Sequence, residues 1–351
     1  MSKIRTIDLF AGIGGIRRGF ETTGLFETVY ANDFEKNCKI TYDKNFAETK
    51  LSVQDIRKVS VTNGDVPRFD FVLSGFPCQP FSIGAHGKGF DDHKGRGTLF
   101  EEIIRLLKES EDKFGQLPMG FMLENVKNLK THDGGQTYKI IHEKLSELGY
   151  HIDSKVYNSL NFGVAQSRER IYIVGFRDKE LLDAFEWPEA THSKDEFVRV
   201  KDILDDQVDS RFYYNGKPLY EKIGNEVVNP ESVYTYRRNY VREQKLGYAP
   251  TLVASMGLGG HNVPIVRDSK GMRKLTPMEC ARLQGYYDLR IPVELSDMHV
   301  YKQIGNSVTV PVIKAIATKV GEAINAVEAA RTTESVNSVS IEFSSPQFVA
   351  A

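Results

Sequence analysis

Short apolar segments alternate with helix-like segments along the first half of the chain, and this alternation limits the fold most. Strands are predicted at 5–10, 28–31, 69–74 and 120–124, and helices at 13–22, 98–107 and 138–148. Segments 152–157 and 170–176 are predicted to close the sheet as a strand pair. This order indicates an α/β fold with a mostly parallel, doubly wound sheet covered on both faces. Ligands bind such sheets beyond the carboxyl ends of the strands.

The pattern changes near Trp187-Pro188, where helical periodicity stops. From there to about 270 the chain has short runs rich in Tyr, Asn, Gly and Asp, which predict a smaller, irregular β-rich domain. Helical patterns return at 277–283 and 311–331. We therefore expect a first domain at 1–188, a second at 189–272, a return segment at 273–331 that completes the first, and a flexible tail at 332–351.

Composition favours a cytoplasmic protein without a membrane span. The chain has 351 residues, no apolar run of about 18 residues, and a start that leads straight into a strand-like segment rather than a signal peptide. Its three cysteines, Cys38, Cys78 and Cys280, are too far apart for a zinc motif or a disulfide framework. With a net charge of −1, any surface that binds nucleic acid must be a local patch.

A glycine-rich turn, Phe10-Ala11-Gly12-Ile13-Gly14-Gly15, joins the first predicted strand to its helix. Glycines there let the backbone approach a ligand closely. Asp33 ends the second strand, where a carboxylate accepts hydrogen bonds from ribose hydroxyls, and Asp55-Ile56 follows a third apolar segment, placed to contact an adenine ring. The pattern indicates a nucleoside cofactor, and a tight turn without a ligand is the alternative. The Gly-x-Gly-x-x-Gly pattern is not met, which weakens a nicotinamide or flavin assignment.

Four reactive side chains are predicted at strand ends on one edge of the sheet. Cys78 follows a strand and precedes a glycine-rich basic segment, a poor position for core packing. Glu124 ends another strand, and Arg168 and Arg170 come just before the last one. Taken singly, a charged residue is more often a surface charge and a cysteine an inert buried thiol, as we expect of Cys38 and Cys280. Together the four indicate a catalytic site.

These motifs resemble those of the C5-cytosine DNA methyltransferases of bacterial and phage type, in order and spacing, over nearly the full chain. The matching blocks are Asp8-Leu9-Phe10-Ala11-Gly12-Ile13-Gly14-Gly15, Gly75-Phe76-Pro77-Cys78-Gln79-Pro80-Phe81-Ser82, Gly97-Thr98-Leu99-Phe100, Glu124-Asn125-Val126, Gln166-Ser167-Arg168-Glu169-Arg170 and Gly305-Asn306-Ser307-Val308. The resemblance implies the Rossmann-like fold of S-adenosylmethionine-dependent methyltransferases. It also implies a catalytic and cofactor-binding domain at 1–188 and a target-recognition domain at 189–272.

The resemblance assigns roles residue by residue. Cys78 is the expected nucleophile, Glu124 the partner of cytosine N3, and Arg168 and Arg170 line the base pocket. The expected cofactor residues are Phe10, Gly12, Ile13, Gly14, Gly15, Asp33, Phe34, Asp55, Ile56, Pro77, Leu99, Asn306, Ser307 and Val308. Phe34 replaces the tryptophan of many relatives, but an aromatic face for adenine is kept. The expected cofactor is S-adenosylmethionine, with S-adenosylhomocysteine as product and no metal.

The chemistry explains these residue types. A thiolate that adds to cytosine carbon 6 makes carbon 5 nucleophilic, and a carboxyl at N3 and guanidiniums at the carbonyl receive the charge. The target atoms are inaccessible in a stacked duplex, so the cytosine must be flipped out. The segment 79–96, with its glycines and basic residues, is expected to close over the base.

Arginines interleaved with tyrosines at 234–242, followed by glycine-rich turns, favour contacts with phosphates and guanine. A solvated charged strand is the alternative. The expected DNA-binding residues are Gln79, Ser82, Arg96, Arg237, Arg238, Tyr240, Arg242, Thr251, Gly259 and Gly260. We expect a monomer that acts on double-stranded DNA, with a cognate restriction endonuclease that acts on the same site as a further expected partner.

Three other functions compete with DNA cytosine methylation. A tRNA cytosine-5 methyltransferase would share the fold, but the long recognition domain favours DNA. A nicotinamide-dependent oxidoreductase would have no use for the Pro-Cys-Gln and Glu-Asn-Val motifs. A catalytically inactive DNA-binding module would not need Cys78, Glu124 and both arginines, all of which are present.

Overall fold

The computed structural model describes residues 2–77, 99–237, 239–257 and 262–342. Several residues singled out from the sequence lie outside these ranges: Cys78, Gln79, Ser82, Arg96, Arg238, Gly259 and Gly260. The side chain of Arg237 is likewise not described.

The strands of the described ranges fall into a large sheet and two smaller ones. They are β1 (Ile4–Leu9), β2 (Phe26–Asp33), β3 (Leu51–Val53), β4 (Phe71–Ser74), β5 (Gly120–Val126), β6 (His151–Asn158), β7 (Gln166–Ser167), β8 (Glu169–Phe176), β9 (Val233–Arg237), β10 (Tyr240–Gln244), β11 (Ala249–Pro250), β12 (Ile265–Asp268) and β13 (Gly271–Lys274). The predicted strands in the first half of the chain are therefore present.

The large sheet has the order β3-β2-β1-β4-β5-β8-β6. Pairings among β1 to β5 are parallel, whereas β8 runs antiparallel to both β5 and β6. In register, Leu9 at the end of β1 lies opposite Asn32 on β2 and Ser74 on β4. The prediction of a mostly parallel α/β sheet closed by a strand pair is thus confirmed. The start of β8 lies at the same edge as the carboxyl ends of the parallel strands.

Helices cover both faces of this sheet. The helices of the described ranges are α1 (Gly15–Glu21), α2 (Lys36–Asn45), α3 (Leu99–Phe114), α4 (Gln136–Glu147), α5 (Lys179–Ala184), α6 (Pro218–Ile223), α7 (Pro277–Arg282), α8 (Asp297–Asn306) and α9 (Val310–Glu342). Side chains of α3 and α4 share one buried core with the sheet, and those of α1, α5 and α9 share another. Because both faces are covered, β5 is buried from Gly120 to Asn125, as expected for a central strand of a parallel sheet.

The segment 189–272, called the recognition region below, contains an antiparallel sheet of order β10-β9-β12-β13 whose last strand ends at Lys274. The β-rich character expected from the sequence is present, together with the short helix α6. Val233 and Val266 of this region share a buried core with Leu283 and Tyr301 of the return segment, residues 273–331. The recognition region and the return segment are thus packed together, and the boundary between them at 272 stays a prediction.

Two further findings concern the chain's ends and its hydropathy. Helix α9 continues to Glu342, past the boundary near Arg331 expected from the sequence, and residues 343–351 lie outside the described part of the chain. Within the described residues, no helix combines the length and apolar character needed to cross a membrane.

Candidate functional site

The carboxyl ends of the parallel strands bring the predicted site residues to one edge of the sheet. Asp8 lies near the end of β1, Asp33 ends β2, Ser74 ends β4, and Glu124 lies near the end of β5. Arg170 lies at the start of β8, opposite Val126 of β5. Asp33, Glu124 and Arg170 therefore lie at one edge of the sheet, as predicted, and Asp8 and Ser74, which were not predicted as site residues, lie there as well.

The turn at residues 10–15, called the glycine loop below, has an unusual backbone. Phe10, Gly12 and Gly14 all have positive φ, at 56°, 55° and 80°. Asp33 fixes the loop, because its Oδ2 accepts the Gly12 N–H at 2.9 Å and its Oδ1 accepts the Glu35 N–H at 2.9 Å. A non-glycine residue at positive φ costs free energy and often marks a functional site. Asp33 thus shapes the loop, a role that the sequence did not indicate.

The return segment closes against this loop. A Cβ on Gly15 would lie 2.3 Å from Tyr286 Oη and 2.7 Å from Val308 Cγ2. Tyr286 Oη is also 2.6 Å from Ser307 Oγ, and both side chains are buried. Only glycine fits at position 15, and this close packing places Ser307 and Val308 beside the loop, as expected. Asn306, at the end of α8, is exposed.

The remaining predicted cofactor residues differ in exposure. Phe34 is 67% exposed, although it directly follows β2, whereas Ile56 is 3% exposed. Leu99 is partly buried and packs, with Phe10, against the same core as Ile56. Asp55 pairs with Arg57 at 2.5 Å, and this hydrogen bond lowers the pKa of the Asp55 carboxyl below its usual range. Phe34 therefore offers a free aromatic face, and Asp55 a charged acceptor.

Glu124 and Arg170 form an ion pair at the centre of the edge. Arg170 Nε lies 3.1 Å from Glu124 Oε1, close enough for attraction but without the alignment of a hydrogen bond. Glu124 is 8% exposed. Its other oxygen, Oε2, lies 3.9 Å from where a Cβ on Gly75 would stand. The carboxyl thus reaches the backbone that leads through Phe76 and Pro77 to Cys78.

Asn125 holds that backbone in place, a contact that the sequence analysis did not anticipate. Its Nδ2 donates to the Phe76 carbonyl at 3.0 Å, and its Oδ1 accepts the Val126 N–H at 2.8 Å. Asn125 is 2% exposed, so both bonds are shielded from water. In the sequence, the one indication of this contact was that Asn125 directly follows Glu124.

Arg168 is buried and bonded to backbone carbonyls. Its Nη1 donates to the Leu252 carbonyl at 3.0 Å and its Nη2 to the Ser307 carbonyl at 2.6 Å. Burial, with the nearby charge of Arg170, lowers the pKa of the Arg168 guanidinium to about 9. The group therefore remains charged at neutral pH.

Buried polar atoms without a hydrogen-bond partner are concentrated at this edge. Among the described residues eight such atoms occur, and five belong to Asp8 (both oxygens), Ser74, Glu124 and Arg168. Burial raises the pKa of the Asp8 carboxyl to about 8. Because buried polar groups are normally paired, this concentration fits a site built to meet polar ligand atoms.

The predicted DNA-binding residues that the structure describes fall into two places. Tyr240 and Arg242 are exposed on the edge strand β10, and the register puts Tyr240 opposite Arg237 of β9. Thr251 lies instead at the join of the two regions, where its Oγ1 donates to the Ser167 carbonyl at 2.8 Å. The described hydrogen bond of Thr251 thus goes to residue 167 beside Arg168 rather than to β10.

The two described cysteines differ from the predicted nucleophile. Cys38 and Cys280 are buried free thiols, and burial raises the pKa of each thiol above its usual value. Both are therefore poor nucleophiles, as the sequence led us to expect. Among the described residues, no group of three or more His, Cys, Asp or Glu side chains is arranged to hold a metal ion.

A family model described as C-5 cytosine-specific DNA methylase matches residues 4–322. The chain is 48% identical over 322 residues to the type II methyltransferase M.Bsp6I of Bacillus sp. (strain RFL6), covering 90% of this chain and 98% of that protein. It is 40% identical over 326 residues to the type II methyltransferase M.HaeII of Haemophilus aegyptius, covering 93% and 95%.

Solved structures show the same fold at lower identity. The Entamoeba histolytica methyltransferase EhMeth aligns with a TM-score of 0.71 at 18% identity, covering 92% of this chain and 99% of that chain. The S. pombe Dnmt2 methyltransferase aligns with a TM-score of 0.71 at 18% identity, covering 92% and 100%. At this identity the likeness concerns the architecture of the chain.

Proposed function

The chain belongs to the C-5 cytosine-specific DNA methylase family, and we propose that it methylates cytosine in a short duplex site through a covalent adduct of Cys78. The observation that carries this proposal is the Glu124–Arg170 pair at the sheet edge where buried polar atoms without hydrogen-bond partners are concentrated. This pair lies beside Gly75, at the start of the short segment that ends in Cys78. The thiol of Cys78, the carboxyl of Glu124 and the guanidinium of Arg170 would then surround the cytosine ring.

The glycine loop and its neighbours fit S-adenosylmethionine. We assign Phe34 to the face of the adenine ring, Asp55 and Ile56 to its edge, and Asp33 to the ribose. Exposure of Phe34, the positive φ angles of Gly12 and Gly14 and the close approach of Val308 to Gly15 support this assignment. When bound, the cofactor supplies an electrophilic methyl group on a sulfonium centre.

The proposed reaction begins when the Cys78 thiolate adds to carbon 6 of the cytosine. The electron pair of the 5,6 double bond then becomes available at carbon 5, which takes the methyl group. The carboxyl of Glu124, held by Arg170 at 3.1 Å, donates a proton to N3 as negative charge builds on the ring, and takes it back when the product forms. A charged hydrogen bond inside a closed site stabilises such a transition state more than the same bond in water.

The product forms when carbon 5 loses its proton to a base. The electrons of that bond restore the double bond, and the carbon–sulfur bond breaks to release the Cys78 thiolate. These reaction steps leave the cytosine ring intact. Their net result is that a methyl group replaces the hydrogen on carbon 5. The flipped base returns to the duplex once the adduct is gone.

We assign target recognition to the exposed face of β10, which carries Tyr240 and Arg242 beside Arg237. Arginines bind guanine edges and phosphates, and tyrosines add stacking. Gln79, Ser82, Arg96, Arg238, Gly259 and Gly260 are assigned by resemblance alone. Since the relatives are named as type II methyltransferases, we propose that the enzyme protects its site from a cognate endonuclease and acts as a monomer.

The test uses Cys78→Ser with Cys38→Ser as its matched control. With labelled cofactor and duplex DNA, Cys78→Ser should lose methyl transfer, and Cys38→Ser, which alters a buried thiol, should retain it. DNA with fluorine at cytosine carbon 5 should trap a covalent complex with the parent only, because fluorine cannot leave as a proton does. Methylation by Cys78→Ser at the parent's rate, or methyl groups found in tRNA alone, would contradict the proposal.

A further inference from the structure

The guanidinium of Arg168 joins two parts of the chain that have different proposed tasks. Leu252, whose carbonyl binds its Nη1, belongs to the segment 249–253 of the recognition region, which bonds to residues 166–168 and is called the junction segment below. Ser307, which binds its Nη2, belongs to the return segment beside the glycine loop. Arg168 is 4% exposed, so water does not replace either bond.

A second side chain, that of Gln166 on β7 two residues before Arg168, binds the N–H group of Leu252. The Leu252 N–H donates to Gln166 Oε1 at 2.9 Å, and Gln166 Nε2 donates to the Leu283 carbonyl at 2.7 Å. Thr251 Oγ1 adds a bond to the Ser167 carbonyl, and β11 pairs with β7 along Ala249 and Pro250. The junction segment is thus held along its length by residues 166–168.

The return segment meets the junction segment directly as well. A Cβ on Gly305 would lie 2.3 Å from the Val253 carbonyl oxygen, so the two backbones are in contact. Gln284 Nε2 donates to the Ile304 carbonyl at 3.1 Å and keeps the turn before Ser307 in place. If the junction segment moves, the return segment or the Arg168 side chain therefore has to move with it.

Among the described residues, no carboxylate accepts a hydrogen bond from Arg168, although the charge of Glu124 is near enough to act on the guanidinium. Two carbonyl dipoles stabilise its buried charge, and its Nε has no partner. In a low-dielectric interior this stabilisation depends steeply on distance. The buried charge of Arg168 is consequently stabilised most when the carbonyls of Leu252 and Ser307 are both in place.

From this geometry we infer that Arg168 is a positioning residue that couples DNA binding at the recognition region to cofactor binding at the glycine loop. DNA that fixes the junction segment fixes Ser307 through Arg168, and cofactor that fixes Ser307 fixes Leu252. Such coupling is reciprocal, so each ligand increases the binding affinity for the other ligand by the same factor. The inference rests on the proposed function, and it leaves Arg170 as the arginine that meets the base.

The experiment measures the dissociation constant of S-adenosylhomocysteine by calorimetry, with and without a duplex containing the methylated site. In the parent, DNA should tighten this constant roughly 5- to 150-fold, the usual range of coupling between sites. Arg168→Ala should reduce the factor to near one, and Arg168→Lys should restore part of it. Thr251→Val, a milder change on the same junction, should reduce the factor less and serves if Arg168→Ala does not fold.

Arg170→Lys is the matched control, because its side chain pairs with Glu124 rather than with the junction. It should lower kcat and keep the coupling factor. An unchanged factor in Arg168→Ala and Thr251→Val would overturn the inference, as would a fall in kcat in Arg168→Lys with both binding constants unchanged. Failure of the proposed function would appear separately, as absence of DNA methylation by the parent.

Discussion

Glu279→Gln tests how the recognition sheet is attached to the return segment. Arg273 of β13 is fully buried, and its Nη1 and Nη2 donate to Glu279 of α7 at 2.8 and 2.9 Å. Glu279 also accepts the N–H groups of Thr276 at 2.7 Å and Asp205 at 2.9 Å. The carboxylate thus satisfies four donors from three parts of the chain.

The cost of this change follows from the arrangement of those donors. Each Glu279 oxygen accepts one Arg273 N–H and one backbone N–H. Whichever way the glutamine amide is oriented, its NH₂ group faces two donors. Arg273 loses its fully buried counter-charge and keeps Asp268, which is 23% exposed and lies 2.6 Å from its Nε. Removing one partner of a buried ion pair costs about 3–5 kcal/mol. Glutamine has nearly the shape of glutamate, so no cavity adds to that figure.

The control is Glu231→Gln, which removes the partner of Lys201 from an exposed pair at 2.5 Å, with side chains 50% and 44% exposed. Surface pairs contribute about 0–1 kcal/mol. Urea unfolding at pH 7, followed by circular dichroism, gives the free energy of unfolding for both variants and the parent. A loss for Glu279→Gln that is no larger than that of Glu231→Gln would refute the reasoning.

Three further predictions concern the edge of the sheet. Burial raises the pKa of Asp8 from 3.8 to about 8, so its contribution to stability is full below pH 4 and is lost as pH rises to 8. Asp8→Asn should therefore gain stability relative to the parent across that window in urea titrations; a constant difference would contradict this. Phe34→Ala should weaken S-adenosylhomocysteine binding roughly 5- to 150-fold, as loss of a stacked base does. Because Phe34 is 67% exposed, the melting temperature of Phe34→Ala should match that of the parent. The control is Leu246→Ala, which replaces an equally exposed side chain and should leave S-adenosylhomocysteine binding intact. Gly14→Ala should destabilise more than Gly24→Ala: both have φ near 80°, but only at Gly14 would a Cβ meet a ring, Phe46, at 2.3 Å. Equal melting temperatures for these two variants would show that the Phe46 ring moves aside for the added methyl group, and would contradict this prediction.

Short-range signals predicted much of the fold. Apolar runs such as that of β5 and the glycine loop after β1 have their own sequence patterns, and the structure places them as expected. Strand ends of a parallel sheet meet by topology, so Glu124 and Arg170 were predicted to share a site. The assignment of Cys78 as nucleophile stays a prediction, since it lies outside the described residues.

Long-range backbone contacts were not predictable in the same way. Arg168 binds carbonyls 84 and 139 positions away, and every residue has a carbonyl, so no residue type marks these partners. The ends of α9 and the register of the recognition sheet depend on packing rather than on periodicity. Asp33 was predicted to contact a ribose, but its bond to Gly12 depends on the loop's conformation.

The attachment of the junction segment has a consequence for how such a protein changes its specificity. Arg168 and Gln166 bind Leu252 through its backbone carbonyl and N–H groups, and Gly305 contacts the Val253 carbonyl. Peptide groups are the same whatever side chains they carry. If β10 reads the target site, as we propose, its exposed residues can be exchanged for others that read a different site while the residues around Glu124 keep their arrangement. Recognition and chemistry would then be modular, because Arg168 and Gln166 hold the junction segment by its main-chain atoms.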